Sequence, residues 1–294
     1  MGSQVECQES EFLIRSPLHV PRPTIPMRLS ISHTTTFTYD HPISEAYTEM
    51  RLRPMDSGGQ RCLSFALNTE PRGEVFQYAD RFGNDVRYFD VLAPHQKLRV
   101  TGISQVLTPD EFENDTRELS PLDEYDYRLP SPYVPLTERL QALAEQHAIK
   151  NDARETAMAL MRALHSSITY LKGVTDVNTN ADQVLDVGSG VCQDFAHVML
   201  AVCRAQKIAA RYVSGYLYSP HNGESEHAAS HAWVDVFVPN EGWLSLDPTH
   251  DGLQTPYYVR VAVGRDYGDV SPTRGIYRGS AQEKLEVQVN VKAL

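Results

Sequence analysis

Two changes of hydrophobic period limit what these 294 residues can fold into more than any other feature does. From Met27 the pattern repeats every second residue. Leu29, Ile31, Phe37 and Tyr39 share one face, and Ser30, Ser32, Thr34, Thr36 and Thr38 share the other, as in a half-buried strand. Similar runs follow at 46–52, 62–69, 75–78, 86–92 and 98–107, with Gly83-Asn84-Asp85 reading as a hairpin turn. Gly102 interrupts the last run and predicts a bulge. Short strands without helical period predict an antiparallel sandwich or small barrel. The period then becomes helical. Leu140, Leu143, Ala144 and His147 form one stripe; Ala157, Leu160, Met161, Leu164 and Ile168 form a second, opened by Asp152 with Glu155 three residues on. A short helical piece at 181–185 leads to a third helix beginning at Cys192. Strand period returns at 210–218, 232–238, 243–246, 257–263 and 285–291. No βαβ alternation occurs, so the class is α+β with antiparallel sheets.

These runs divide the chain into a flexible N-terminal tail at 1–26, an antiparallel β-domain at 27–107, a connection at 108–135 and an α+β domain at 136–294. The connection loses all periodicity and carries eight acidic residues and five prolines. The segments 259–272 and 279–294 suit either sheet. A net charge of −11 argues against nucleic acid or an anionic membrane surface as partner, leaving small molecules, peptides and proteins. Four cysteines, at 7, 62, 192 and 203, form neither a zinc pattern nor a disulfide framework, and together with the absence of a signal-like apolar run they predict a cytoplasmic protein.

The chemistry centres on Gly188-Ser-Gly-Val-Cys192. The glycines allow a tight turn, and Cys192 then falls in the first turn of a helix whose apolar stripe is Phe195, Val198, Met199 and Val202. Unpaired N–H groups and the positive end of the helix dipole favour a thiolate there. Cys203, deep in the same helix, is a core residue. A reactive thiolate needs a base, and the base needs an orienting group. His231 opens one strand and Asp247 ends the next, with a turn at 239–242 between them, so a hairpin sets them side by side. Taken singly, each has an ordinary structural reading; in this order and setting they form a Cys192-His231-Asp247 triad. Asp194 reads as a first-turn cap and His197 as a packed residue. His221, His227, His231 and His250 match no zinc signature, so neither a metal nor a cofactor is expected. Oxyanion donors are the backbone N–H of Cys192, with Tyr170 and Gln183 as side-chain candidates. Arg265, Asp266, Tyr267 and Asp269 either line the cleft or brace the sheet.

Gly190-Val-Cys-Gln-Asp-Phe-Ala-His197, Ala210-Arg-Tyr-Val-Ser-Gly-Tyr216, Ser230-His-Ala-Trp233, Leu246-Asp-Pro-Thr249 and Val263-Gly-Arg-Asp-Tyr-Gly-Asp-Val-Ser-Pro272 together resemble bacterial transglutaminase-like proteins, a branch of the papain-like cysteine enzymes. The resemblance implies a papain-like transglutaminase core preceded by an accessory β-sandwich. It also implies Cys192 as nucleophile, His231 as general base and Asp247 as its orienting residue, acting on a peptide or protein substrate through a thioester. Amide hydrolysis is the favoured reaction, because the polar stretch 219–230 before His231 offers little apolar surface to exclude water. Amine transfer, as in a transglutaminase, is the alternative. A peptide-binding module without catalysis and a metal-assisted hydrolase stay open beside them.

Overall fold

The computed structural model describes residues 25–220 and 230–294. Cys7, His221, His227 and nearly all of the expected 1–26 tail lie outside the described residues. Six strands come first: β1 (Met27–Ile43), β2 (Glu45–Met50), β3 (Arg61–Glu70), β4 (Val75–Ala79), β5 (Asp85–Val91) and β6 (His95–Thr108). A mainly helical stretch follows: α1 (Pro121–Asp126), α2 (Glu138–Gln146), α3 (Ala153–Ser167), β7 (Thr169–Tyr170), α4 (Ala181–Val187), β8 (Ser189–Gly190) and α5 (Cys192–Ala205). The chain ends with β9 (Ala210–Leu217), β10 (Ser230–Val238), β11 (Gly242–Asp247), β12 (Gly252–Leu253), β13 (Tyr258–Gly264), α6 (Tyr267–Val270), β14 (Thr273–Arg278) and β15 (Glu283–Ala293).

The fold is α+β. One antiparallel sheet, in the order β12-β11-β10-β9-β13, packs against α3 and α5, with α2 packed on α5. Side-chain caps set two of these helices: Thr137 accepts from Leu140 N, and Asp152, the cap read from sequence, accepts from Glu155 N at 2.9 Å. Two four-stranded sheets, β15-β1-β6-β3 and β14-β2-β5-β4, form a sandwich around Phe37, Ile43, Met50, Phe89, Leu98 and Val100.

Three local expectations change. The segment 273–293 falls in the 136–294 domain by sequence, although 279–294 suits either sheet; it completes the sandwich, with β14 paired to β2 and β15 running along β1 from Tyr39–Glu283 to Leu29–Ala293. Its strict alternation fits any half-buried sheet, so only tertiary pairing decides which one it joins. Gly102 carries no bulge. It pairs in register with His33 and Leu67, and a Cβ there would press on Leu52 and Phe65 at 3.2–3.4 Å, so the residue serves close packing. The 108–135 connection is bound down: Asp115 O accepts from Trp243 N, Tyr127 O accepts from Ala210 N, and Val134 is wholly buried.

Two buried side-chain amides join the sandwich to the open edge of β13. Asn84 donates to Val263 O and accepts from Val263 N, both at 2.8 Å; Gln60 does the same at Arg260, at 2.9 Å each way. Each amide takes the place of a neighbouring strand's peptide and closes an edge that would otherwise stay unpaired. His33 of β1 adds a third tie, its Nδ1 lying 3.0 Å from the Tyr216 hydroxyl of β9.

Candidate active site

Cys192 starts α5 because Val191, the N-cap, is extended and has no side-chain acceptor. Val191 takes up the Asp194 N–H through its carbonyl at 2.8 Å but offers no side chain to the earlier N–H groups, and the thiol sits at the positive end of a 14-residue helix. Asp194 does not turn toward the sulfur. Its Oδ2 accepts from Val191 N and from Thr175 Oγ1, both at 2.7 Å, and burial pushes its carboxyl upward.

The hairpin β10–β11 pairs Val234 with Leu246, which sets His231 and Asp247 on one face near the end of the sheet. His231 Nε2 and Asp247 Oδ2 are 2.7 Å apart, and Cys192 lies close enough to the same imidazole to help raise its pKa. Burial alone would lower the His231 pKa. The charge and hydrogen bond of Asp247, with smaller help from Cys192, overcome burial and lift it to about 10. Asp247 is 1 % exposed. Burial opposes its ionisation too, yet His231 and His250 hold it well below the usual carboxylate range. An ionised Asp247 can only accept, so the facing nitrogens of both histidines donate.

Sequence reasoning missed how firmly Asp247 is held. Its Oδ2 also accepts from His250 Nδ1 and from the Tyr258 hydroxyl, each at 2.8 Å, and Oδ1 accepts from Thr249 N at 2.8 Å. Tyr258 reaches Asp247 from β13 across the face of the sheet, beside the buried Trp233, whose ring stacks near His231. Gly215 of β9 makes room for that indole: a Cβ would lie 2.1 Å from Val259 O and 2.6 Å from Trp233. The turn after Asp247 carried a legible signal for His250, three residues on, whereas nothing local marks Tyr258.

His231, Asp247 and His250 bring three metal-type donor atoms within 4.8 Å of one another. Both histidine nitrogens already donate a proton to one carboxylate oxygen, so the cluster is built as a hydrogen-bonded group. Of the oxyanion candidates, Gln183 is exposed and its carbonyl caps Asn180 N at 2.9 Å. Tyr170 pairs with Gly190 in the short parallel ladder β7–β8, two residues from the nucleophile. Arg265 and Asp269 form a salt bridge, Asp266 caps α6, and Tyr267 N donates to the buried His197, so this segment braces α5 against the sheet. One cavity, about 670 Å³, lies at the far end of α5 beside Lys150, Lys207 and Glu241 and includes none of the three triad candidates.

Residues 141–248 match the model of the transglutaminase-like superfamily, and residues 29–107 match that of the bacterial transglutaminase-like N-terminal region. The ML0607 protein of Mycobacterium leprae is 34% identical over 279 residues, which cover 91% of this chain and 99% of that one. A protein-glutamine gamma-glutamyltransferase of Pseudomonas aeruginosa is 35% identical over 121 residues, 38% of this chain but 18% of its own length. Among solved structures, a candidate cysteine protease from Cytophaga hutchinsonii shares the fold with a TM-score of 0.74 at 22% identity, covering 92% of this chain and 91% of that one.

Proposed function

From the premise that this chain belongs to the transglutaminase-like superfamily and is a cysteine protease-like or transglutaminase-like enzyme, we propose that it hydrolyses amide bonds of peptides or proteins through Cys192, His231 and Asp247. One observation carries the proposal. Cys192 is only partly buried at a helix N-terminus, while the His231–Asp247 pair behind it is buried and hydrogen-bonded. The sulfur can meet a substrate and water, and the groups that tune it are held fixed.

The Cys192 thiolate attacks the carbonyl carbon, and the C–N bond breaks as the His231 imidazolium protonates the leaving amine. A thioester remains. Water then attacks it, the neutral imidazole takes the water's proton, and the C–S bond breaks to release the acid and restore the ion pair. Asp247 keeps the imidazole oriented and offsets its positive charge. Trp233, Tyr258 and Gly215 on the sheet face hold this geometry. The free thiols at 62, 192 and 203 suit a reducing compartment.

Amine transfer is the second reading, supported by the likeness to the Pseudomonas aeruginosa glutamyltransferase over the core. Product mass separates the two. A glutamine-containing peptide supplied with millimolar primary amine gives mainly the acid, by mass shift, if water is the acceptor; predominant amine incorporation overturns hydrolysis. The thiol mechanism itself is tested by limiting iodoacetamide at pH 6. Cys192 is expected to label before Cys62, whose thiol burial pushes up, and before Cys203, which is fully buried and pushed up to about 12. Labelling of Cys62 first, or full activity in Cys192→Ala, removes the proposal.

A further inference from the structure

The ten residues between β7 and α4 are tied to the nucleophile turn at several points. Leu171 N donates to Gly190 O at 2.9 Å, Thr175 Oγ1 donates to Asp194 Oδ2 at 2.7 Å, and Gln193 Nε2 donates to Val177 O at 3.3 Å. Within the loop, Asp176 accepts from Asn178 N at 2.7 Å and Thr179 N donates to Asp176 O, which closes a tight turn. Asp194, 1 % exposed, is the anchor, because its one oxygen holds both the loop and the peptide just before Cys192.

A loop fixed by polar bonds ordinarily turns its apolar side chains inward. Here they face water: Leu171 is 48 % exposed, Val174 39 % and Val177 40 %, and Val187, at the end of α4 before the nucleophile turn, is 46 % exposed. All four belong to segments that hydrogen-bond residues 188–194 or adjoin them in sequence. Scattered exposed aliphatics need no explanation, whereas several on one rigid loop next to a reactive thiol form a preorganised apolar wall. The adjoining thiol needs an acyl donor with its carbonyl at Cys192, and whatever covers the wall must be continuous with that carbonyl.

We infer that the 171–179 loop is the acyl-donor wall of this site, and that it takes an extended polypeptide with bulky aliphatic side chains next to the reacting carboxamide. The inference rests on the proposed thiol chemistry. Leu171, Val174 and Val177 set the selectivity, and the Thr175–Asp194 bond keeps them in register with the sulfur. A free amino acid amide gains nothing from the wall, because it has no neighbouring side chain to lay on it.

The test compares wild type with a Val174→Ser/Val177→Ser double variant on three probes: a small activated ester, a peptide carboxamide flanked by leucines, and the same peptide flanked by alanines. Both substitutions are at exposed positions, and thermal melting checks the fold. Wild type is expected to prefer the leucine peptide by about sixteenfold in kcat/KM, two methyl groups covered at roughly fourfold each. In the variant, which keeps Leu171, that preference falls by about fourfold, mainly through KM. Equal preference in both proteins with ester turnover intact overturns the wall. Absence of ester turnover in wild type overturns the thiol chemistry itself, a separate failure. Thr175→Val is expected to weaken the preference with the wall residues unchanged; a preference kept in full shows that Asp194 does not set the register.

Discussion

Tyr258 donates its hydroxyl to Asp247 Oδ2 at 2.8 Å, from a strand two places away in the sheet from β10. That bond ties the candidate orienting carboxylate to β13, the strand whose outer edge Gln60 and Asn84 clamp. Strand β13 is therefore one route by which the sandwich supports the site, beside the His33–Tyr216 tie to β9. Tyr258→Phe removes one donor from a buried carboxylate and keeps the ring packed on Trp233. A charged hydrogen bond of this kind contributes about 1.5–3 kcal/mol. A loss of about tenfold in kcat/KM is expected, with a lower midpoint in urea; unchanged values in both would show that His250 and Thr249 suffice.

Asp247→Asn separates orientation from charge. The amide oxygen can still accept from His231, but the negative charge that lifts the imidazole to about 10 is gone. We expect kcat to fall about 10⁴-fold, against about 10⁶-fold for Cys192→Ala or His231→Ala. The imidazole in the variant should also titrate well below its wild-type value, which NMR of the His231 ring measures directly. An intact Asp247→Ala protein with full activity would exclude the orienting role.

The docking of the sandwich is testable at Asn84. Its two 2.8 Å bonds to Val263 are buried, so Asn84→Ala strands an N–H and a carbonyl without replacement. A cost of about 2–5 kcal/mol is expected from two unsatisfied buried groups. Urea denaturation followed by Trp233 and Trp243 fluorescence reads it; a change below about 1 kcal/mol would mean that water replaces the amide.

What the sequence made legible follows physical range. The Cys192 helix, the His231–Asp247 hairpin and the N-terminal strands each rest on local period and turn chemistry, and the structure has those elements. The placement of β14 and β15 was not legible, because alternation in 285–291 describes a strand but not its partner. Gly102 misled for a related reason: a glycine in a strand marks either a bulge or a close approach, and only Leu52 packed over it decides which. Tyr258 was invisible because its partner is 11 residues away across two strands. His250, within the same turn as Asp247, was seen as a histidine but read only against metal spacing.

Stability should fall on both sides of neutrality, for opposite reasons. Burial holds His33 down to about 4, and burial with the Arg204 charge holds His197 down to about 3. In the unfolded chain both titrate near 6.5. Between about pH 6.5 and 4 the unfolded state therefore binds more protons, and stability drops as pH falls, by up to about 1.4 kcal/mol per pH unit for each histidine. His231 has the other sign. Raised to about 10, it favours the folded state at and below its unfolded value, and that contribution drains away as pH rises from about 6.5 through 10. Urea midpoints from pH 5 to 9 should peak near pH 6.5–7. His33→Gln keeps a polar partner for the Tyr216 hydroxyl but cannot titrate, so the slope from pH 6.5 to 5 should shrink by about one proton relative to wild type. Taking the difference cancels the buried carboxyls Asp194 and Glu283, whose raised values oppose the acid loss in both proteins. An identical acid slope in the two proteins would show that His33 does not stay neutral at the seam between sandwich and core.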